Sequence, residues 1–96
     1  MAKKYPFPIP KSFELGGVEW VAEELDIIPG AMGCTSNSEN KIVLLSSLAP
    51  EAKFLTFLHE LSHAIMFSMG KSADQHDERF VDAHALFFLQ YLKTAK

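Results

Sequence analysis

The chain has 96 residues, 48% of them hydrophobic and 22% charged, with a formal net charge of −3 and an isoelectric point of about 5.7. That composition describes one ordered domain with a modest core and excludes a disordered tail, and the scattered lysines form no basic footprint for nucleic acid or anionic lipid, so direct DNA binding is not expected. The single cysteine, Cys34, allows no internal disulfide, no leader-like apolar run follows the basic residues of MAKKYPFPIP, and no uncharged stretch nears the roughly 20 residues that cross a bilayer, so a reducing, cytoplasmic setting is expected.

In chain order, residues 1–11 contain KYPFPIPK, where alternating prolines remove backbone donors and disfavour helix, predicting an extended arm. Residues 12–46 form a β-rich part. Gly16-Gly17 stands between Phe13 and Leu15 on one side and Val18 and Trp20 on the other, a hairpin pattern, although residues 18–28 also suit a helix. Pro29, Gly30 and Gly33 punctuate the chain, TSNSEN is turn chemistry, and KIVLLS suits a buried strand. The segment from Gly33 to Asn37 is a candidate edge strand that could pair with an extended peptide. These pieces predict a small antiparallel sheet of about three strands. Pro50 and Glu51 fit the first turn of a helix spanning about 48–69, closed by Gly70, and KSADQHDE links it to a second helix over about 75–93 that ends in lysines. The fold class is therefore α+β, one small sheet packed on two main helices in one domain.

Residues 59–63 read HELSH. Positions i and i+4 of a helix lie about 6 Å apart along the axis and about 40° around it, so His59 and His63 can grip one ion. Glu60 sits about 100° from His59, poorly placed as a ligand and well placed to reach a water on that ion, which is the position of a general base. A zinc ion with three protein ligands keeps a site for water and lowers its pKa towards about 7. The competing reading is helix core with satisfied histidines, but FLTFL before the motif and AIMF after it make an unpaired Glu60 costly there.

A third ligand is needed, and His76, Asp77, Glu78, Asp82 and His84 are candidates. On an ideal helix Val81, Asp82, Ala85, Leu89 and Leu92 all fall within about 60° of Glu78, a face able to pack on the motif helix. Glu78 is the expected third ligand and Asp82 the acceptor of a hydrogen bond from a ligating histidine, with His76 as the rival ligand. DQHDE also reads simply as an acidic helix start.

HELSH followed by ERFVD resembles the gluzincin arrangement of zinc peptidases. The order of a hairpin, then KIVLLSSLAPEAKFLTFLHELSHAI, a polar linker and DERFVDAHALFFLQYL is similar to compact phage and prophage members of the ImmA/IrrE-type metallopeptidases, across most of residues 13–93. The resemblance implies a zinc-dependent endopeptidase core in which His59, His63 and Glu78 hold the metal and Glu60 activates water; relatives with known roles cleave regulatory DNA-binding proteins. ERFVDAHA departs from the alanine and asparagine that many relatives carry after the glutamate. For the oxyanion, the chain offers His76, His84, Tyr91 and Tyr5, with no spacing that selects one.

Cys34 is expected as a small buried apolar residue, with inhibitory zinc ligation as the alternative. Phe80, Phe87 and Tyr91 lie opposite the Glu78 face and are expected to pack beneath YPFPIP, or else against a partner or a second copy in a homodimer. Two rival functions remain beside the peptidase: a zinc-binding, non-catalytic interaction module, and an interaction domain without metal.

Overall fold

A computed structural model describes residues 5–96. Gly16 and Gly17 both adopt positive φ, 57° and 82°. Two consecutive left-handed residues make the tight turn whose twist matches that of paired strands, and glycine takes it without steric cost. Strand β1 (Ser12–Leu15) therefore folds back on β2 (Val18–Leu25), with Leu15 paired to Val18 and Phe13 to Trp20. The hairpin alternative is realised, and no helix forms over 18–28.

The chain then passes to β3 (Gly33–Ser36) and returns through TSNSEN, with Asn40 at φ 52°, into β4 (Lys41–Leu45). The sheet has four strands in the order β1-β2-β4-β3, so the returning strand inserts between β2 and β3. As a result β4 runs parallel to β2 and antiparallel to β3. The sheet is thus mixed, where an all-antiparallel one was expected, and has one strand more. Local turn signals report hairpins faithfully, whereas the parallel pairing depends on a crossover that no local signal encodes. The central position of β4 explains the complete burial of Ile42 and Leu44.

Helix α1 (Pro50–Ser68) begins with proline at its first turn and ends at Gly70, whose φ of 87° lets the Gly70 and Lys71 amides bond back to the carbonyls of Phe67 and Met66. It buries Phe54, Phe57, Leu58 and Ala64 against Trp20, Ile42 and Leu44 of the sheet. Trp20, Ile42, Leu44 and Val81 are each less than 2% exposed, and full burial of such side chains contributes about 1.5–3 kcal/mol apiece.

Helix α2 (Glu78–Thr94) packs on α1 through Val81, Ala85 and Leu89, one residue per turn. It starts later than the expected Gln75 because the Asp77 carboxylate accepts bonds from the Arg79 and Phe80 amides and caps the helix there. Residues Ala73–Gln75 form a separate 3-10 turn. The described part of the arm, Tyr5–Pro10, has no helix or strand, and Tyr5 and Phe7 lie against Phe54, with ring centroids 6.2 and 5.4 Å away. It therefore covers the start of α1 and leaves Phe80, Phe87 and Tyr91 exposed, contrary to the expected packing beneath the arm. Among the described residues no helix is long and apolar enough to cross a membrane.

Candidate metal centre

The i, i+4 spacing on α1 brings the rings of His59 and His63 to 5.0 Å between centroids. Helix α2 begins directly opposite, so the Glu78 carboxylate in its first turn faces both rings. One of its oxygens lies 3.0 Å from Nε2 of His63 and the other 3.3 Å from Nε2 of His59. Each separation, to a different Glu78 oxygen, is near the roughly 3.4 Å between neighbouring ligand atoms around a tetrahedral ion with bonds of about 2.0–2.1 Å. His59, His63 and Glu78 form a group able to hold a metal ion, each offering one ligand atom within 4.8 Å of the others. The donor set, two imidazoles and one carboxylate, is that of a site with a ligand position left for water. Glu78 is 64% exposed, which keeps that position accessible.

Both ring orientations are held from outside. Nδ1 of His59 lies 2.8 Å from Oδ1 of Asp82, one turn beyond Glu78 on α2, the separation of a direct hydrogen bond. Nδ1 of His63 lies 2.6 Å from Nδ1 of His76, with the ring planes 18° apart and the centroids 4.9 Å apart, so the rings are nearly parallel and within direct hydrogen-bond reach. Nε2 of His76 in turn lies 3.3 Å from the Lys71 carbonyl oxygen. With Nδ1 of His59 facing a carboxylate and Nδ1 of His63 facing His76, the Nε2 atoms on the Glu78 side are the ones a metal ion would take. His76 is thus placed behind a ligand and is not a member of the ligand group, because the start of α2 puts it before the helix, on the outer side of His63.

Glu60 is only 8% exposed, buried beside its apolar neighbours on α1. Register explains what holds it: Thr35 of β3 pairs with Ile42 of β4 and so points towards α1, where its hydroxyl lies 2.7 Å from Oε1 of Glu60 and 3.0 Å from the Glu60 carbonyl oxygen. The other carboxylate oxygen lies 4.0 Å from Nε2 of His59, close enough to reach a molecule at the metal position without joining the ligands. Gly33 permits this approach of strand to helix, since a Cβ there would sit 2.9 Å from Cγ2 of Thr56 and 3.0 Å from the Val43 carbonyl oxygen.

Cys34 pairs with Val43 and takes the opposite face from Thr35, so it is exposed instead of buried, a correction that follows from strand alternation. It borders the depression containing His59, Glu60, His63 and Glu78, outside the ligand group. Of the residues considered for the oxyanion, His76 alone borders that depression: His84 pairs with Ser62 at 3.2 Å, Tyr91 is exposed on the outer side of α2, and Tyr5 lies beside Phe7. Gly33 and Thr35 read from the sequence only as part of a candidate edge strand, not as the residues that let β3 approach α1 and hold Glu60. A threonine and a glycine in a short polar strand carry no signal until the register of β3 is known.

The chain matches no protein-family model, no curated protein and no solved structure.

Proposed function

We propose that the protein is a zinc-dependent metallopeptidase of the gluzincin, ImmA/IrrE-like kind, hydrolysing peptide bonds of a regulatory protein in the cytoplasm. The observation that carries this reading is the division of labour among three carboxylates. Glu78 faces both Nε2 atoms as a ligand, Asp82 fixes the ring of His59, and Glu60 stands 4.0 Å from Nε2 of His59 without belonging to the ligand group. A site for structural metal alone has no use for that third, buried carboxylate.

Bound zinc supplies Lewis acidity, polarising a substrate carbonyl and making water acidic enough to lose a proton near neutral pH. Glu60 accepts that proton on the oxygen that Thr35 leaves free, then delivers it to the nitrogen of the breaking amide bond, so that water and peptide become a carboxylate and an amine. Asp82 and His76 hold the two imidazoles so that Nε2 stays aimed at the metal position. The outer edge of β3 gives an extended peptide backbone groups to pair with as it passes Glu60.

The test compares wild type and Glu60→Gln, each stripped and reconstituted with zinc, for metal content by elemental mass spectrometry and for cleavage of unfolded casein by peptide mass spectrometry. The expected result is about one zinc per chain in both proteins and cleavage by the wild type only, reduced by roughly 10²–10⁴ in the variant. Zinc retention with no cleavage by either protein would favour a metal-binding interaction module. Absence of zinc from the wild type would remove the reading altogether.

A further inference from the structure

Helix α2 turns one stripe of its surface away from the rest of the chain. Phe80, Phe87, Phe88 and Tyr91 are 55%, 67%, 43% and 63% exposed, and with Ala83 and His84 they line one shallow depression. The patch continues over the end of α1, where Ile65 and Met69 border a second depression together with Phe80 and His84. At about 200 Å² for a large apolar side chain, the four rings, Ile65 and Met69 expose roughly 650 Å². That exceeds the largest patch of a typical monomer, about 300–600 Å², and approaches the roughly 800 Å² that each partner buries in a standard interface.

We infer that this face is the interface of a homodimer in which α2 packs antiparallel against α2 of a second copy. Three observations select a second copy as the occupant. The area is close to what a stable dimer needs. The stripe residues Phe80, His84, Phe87 and Tyr91 are spaced four, three and four apart, within about 60° on the helix, which is a coiled-coil seam. That spacing reads the same in both directions. An antiparallel two-fold therefore sets Phe80 against Tyr91 of the second copy and His84 against Phe87 of the second copy, the self-complementarity an isologous interface requires.

Charge supplies the third observation. Glu78, Asp82 and Lys93 leave the helix on the opposite side, about 120° or more from the stripe, and the nearest charges, Arg79 about 80° from Phe87 and Lys71 beside the second depression, lie off the seam, so none of these groups meets its own copy along the stripe. His84 is turned towards Ser62, at 3.2 Å, and presents the flat side of its ring stacked on Phe80 and Phe88, at 5.6 and 6.2 Å. The antiparallel arrangement opposes the two helix dipoles and leaves both candidate metal centres open to solvent.

The experiment is sedimentation velocity from about 1 µM to about 500 µM, with Phe87→Glu and Tyr91→Lys measured in parallel and folding checked by circular dichroism. The wild type is expected to approach twice the 10.7 kDa chain mass, and each variant to dissociate at least about 100-fold more readily while keeping its fold. A wild type that stays monomeric throughout the range, or variants that dimerise as well as it does, would overturn the inference. Register is read in a Cys34→Ser background by mixing Phe80→Cys with Tyr91→Cys under oxidation. A mixed disulfide between the two variants is expected; disulfides only between like variants would overturn the antiparallel arrangement.

Discussion

Replacing His76 by alanine tests the outer support of the candidate metal centre. In the native arrangement Nδ1 of His63 lies 2.6 Å from Nδ1 of His76, a direct hydrogen bond, and His63 itself is only 12% exposed. His76→Ala leaves that nitrogen without a protein partner in a site where water replaces it poorly, a cost of about 1–3 kcal/mol for a largely buried polar group. Loss of an outer partner of a ligating histidine typically weakens metal binding about 10–100-fold, which at 1.4 kcal/mol per tenfold is roughly 1.4–2.8 kcal/mol. The two estimates agree, so the zinc dissociation constant should rise by one to two orders of magnitude. The assay is competition against a chromophoric chelator at fixed pH, with urea unfolding of the metal-free proteins to remove any general loss of stability. His76→Asn, which keeps a short-reach acceptor, should recover part of the affinity, and His63→Ala should lose far more than either. Affinity within two- to three-fold of wild type would refute the supporting role. A loss equal to that of His63→Ala would make His76 a ligand in its own right.

Thr35→Val keeps the shape of β3 and removes the hydroxyl that bonds Glu60; zinc binding should remain within about three-fold while stability falls by roughly 1–3 kcal/mol, because the Glu60 carboxylate loses its protein donor, as measured by chelator competition and urea titration. Gly33→Ala should destabilise by about 1–3 kcal/mol in the same titration, since the added methyl meets Thr56 and the Val43 carbonyl oxygen where β3 approaches α1. Leu44→Ala, in the middle of the core on the central strand, should cost about 2–5 kcal/mol and lower the thermal midpoint well below that of Gly33→Ala.

The elements that could be read from the sequence are those whose causes are local. Gly16-Gly17 permits one tight turn, Pro50 and Gly70 bound α1, and four-residue spacing places His59 and His63 side by side on any helix. Glu78 and Asp82 were legible for a related reason: the apolar face of α2 has to meet α1, and both carboxylates lie on that face. Asp77 shows the limit, since acidic residues at a helix start read alike until one of them bonds the free amides and sets where the helix begins.

What tertiary structure alone decided involves residues far apart in the chain. The insertion of β4 between β2 and β3 makes the sheet mixed, leaves β3 at the edge and sets Thr35 opposite Ile42, and from that register come the hold on Glu60 and the exposure of Cys34. The path of the arm towards Phe54 likewise decides that the aromatic stripe of α2 stays bare. The sequence by itself determined the ligand-bearing faces, because a helix repeats its geometry every turn. Which strand holds Glu60, and which apolar face stays exposed, depended on long-range pairing and packing, where several arrangements satisfy the same local preferences and only their combined burial selects one.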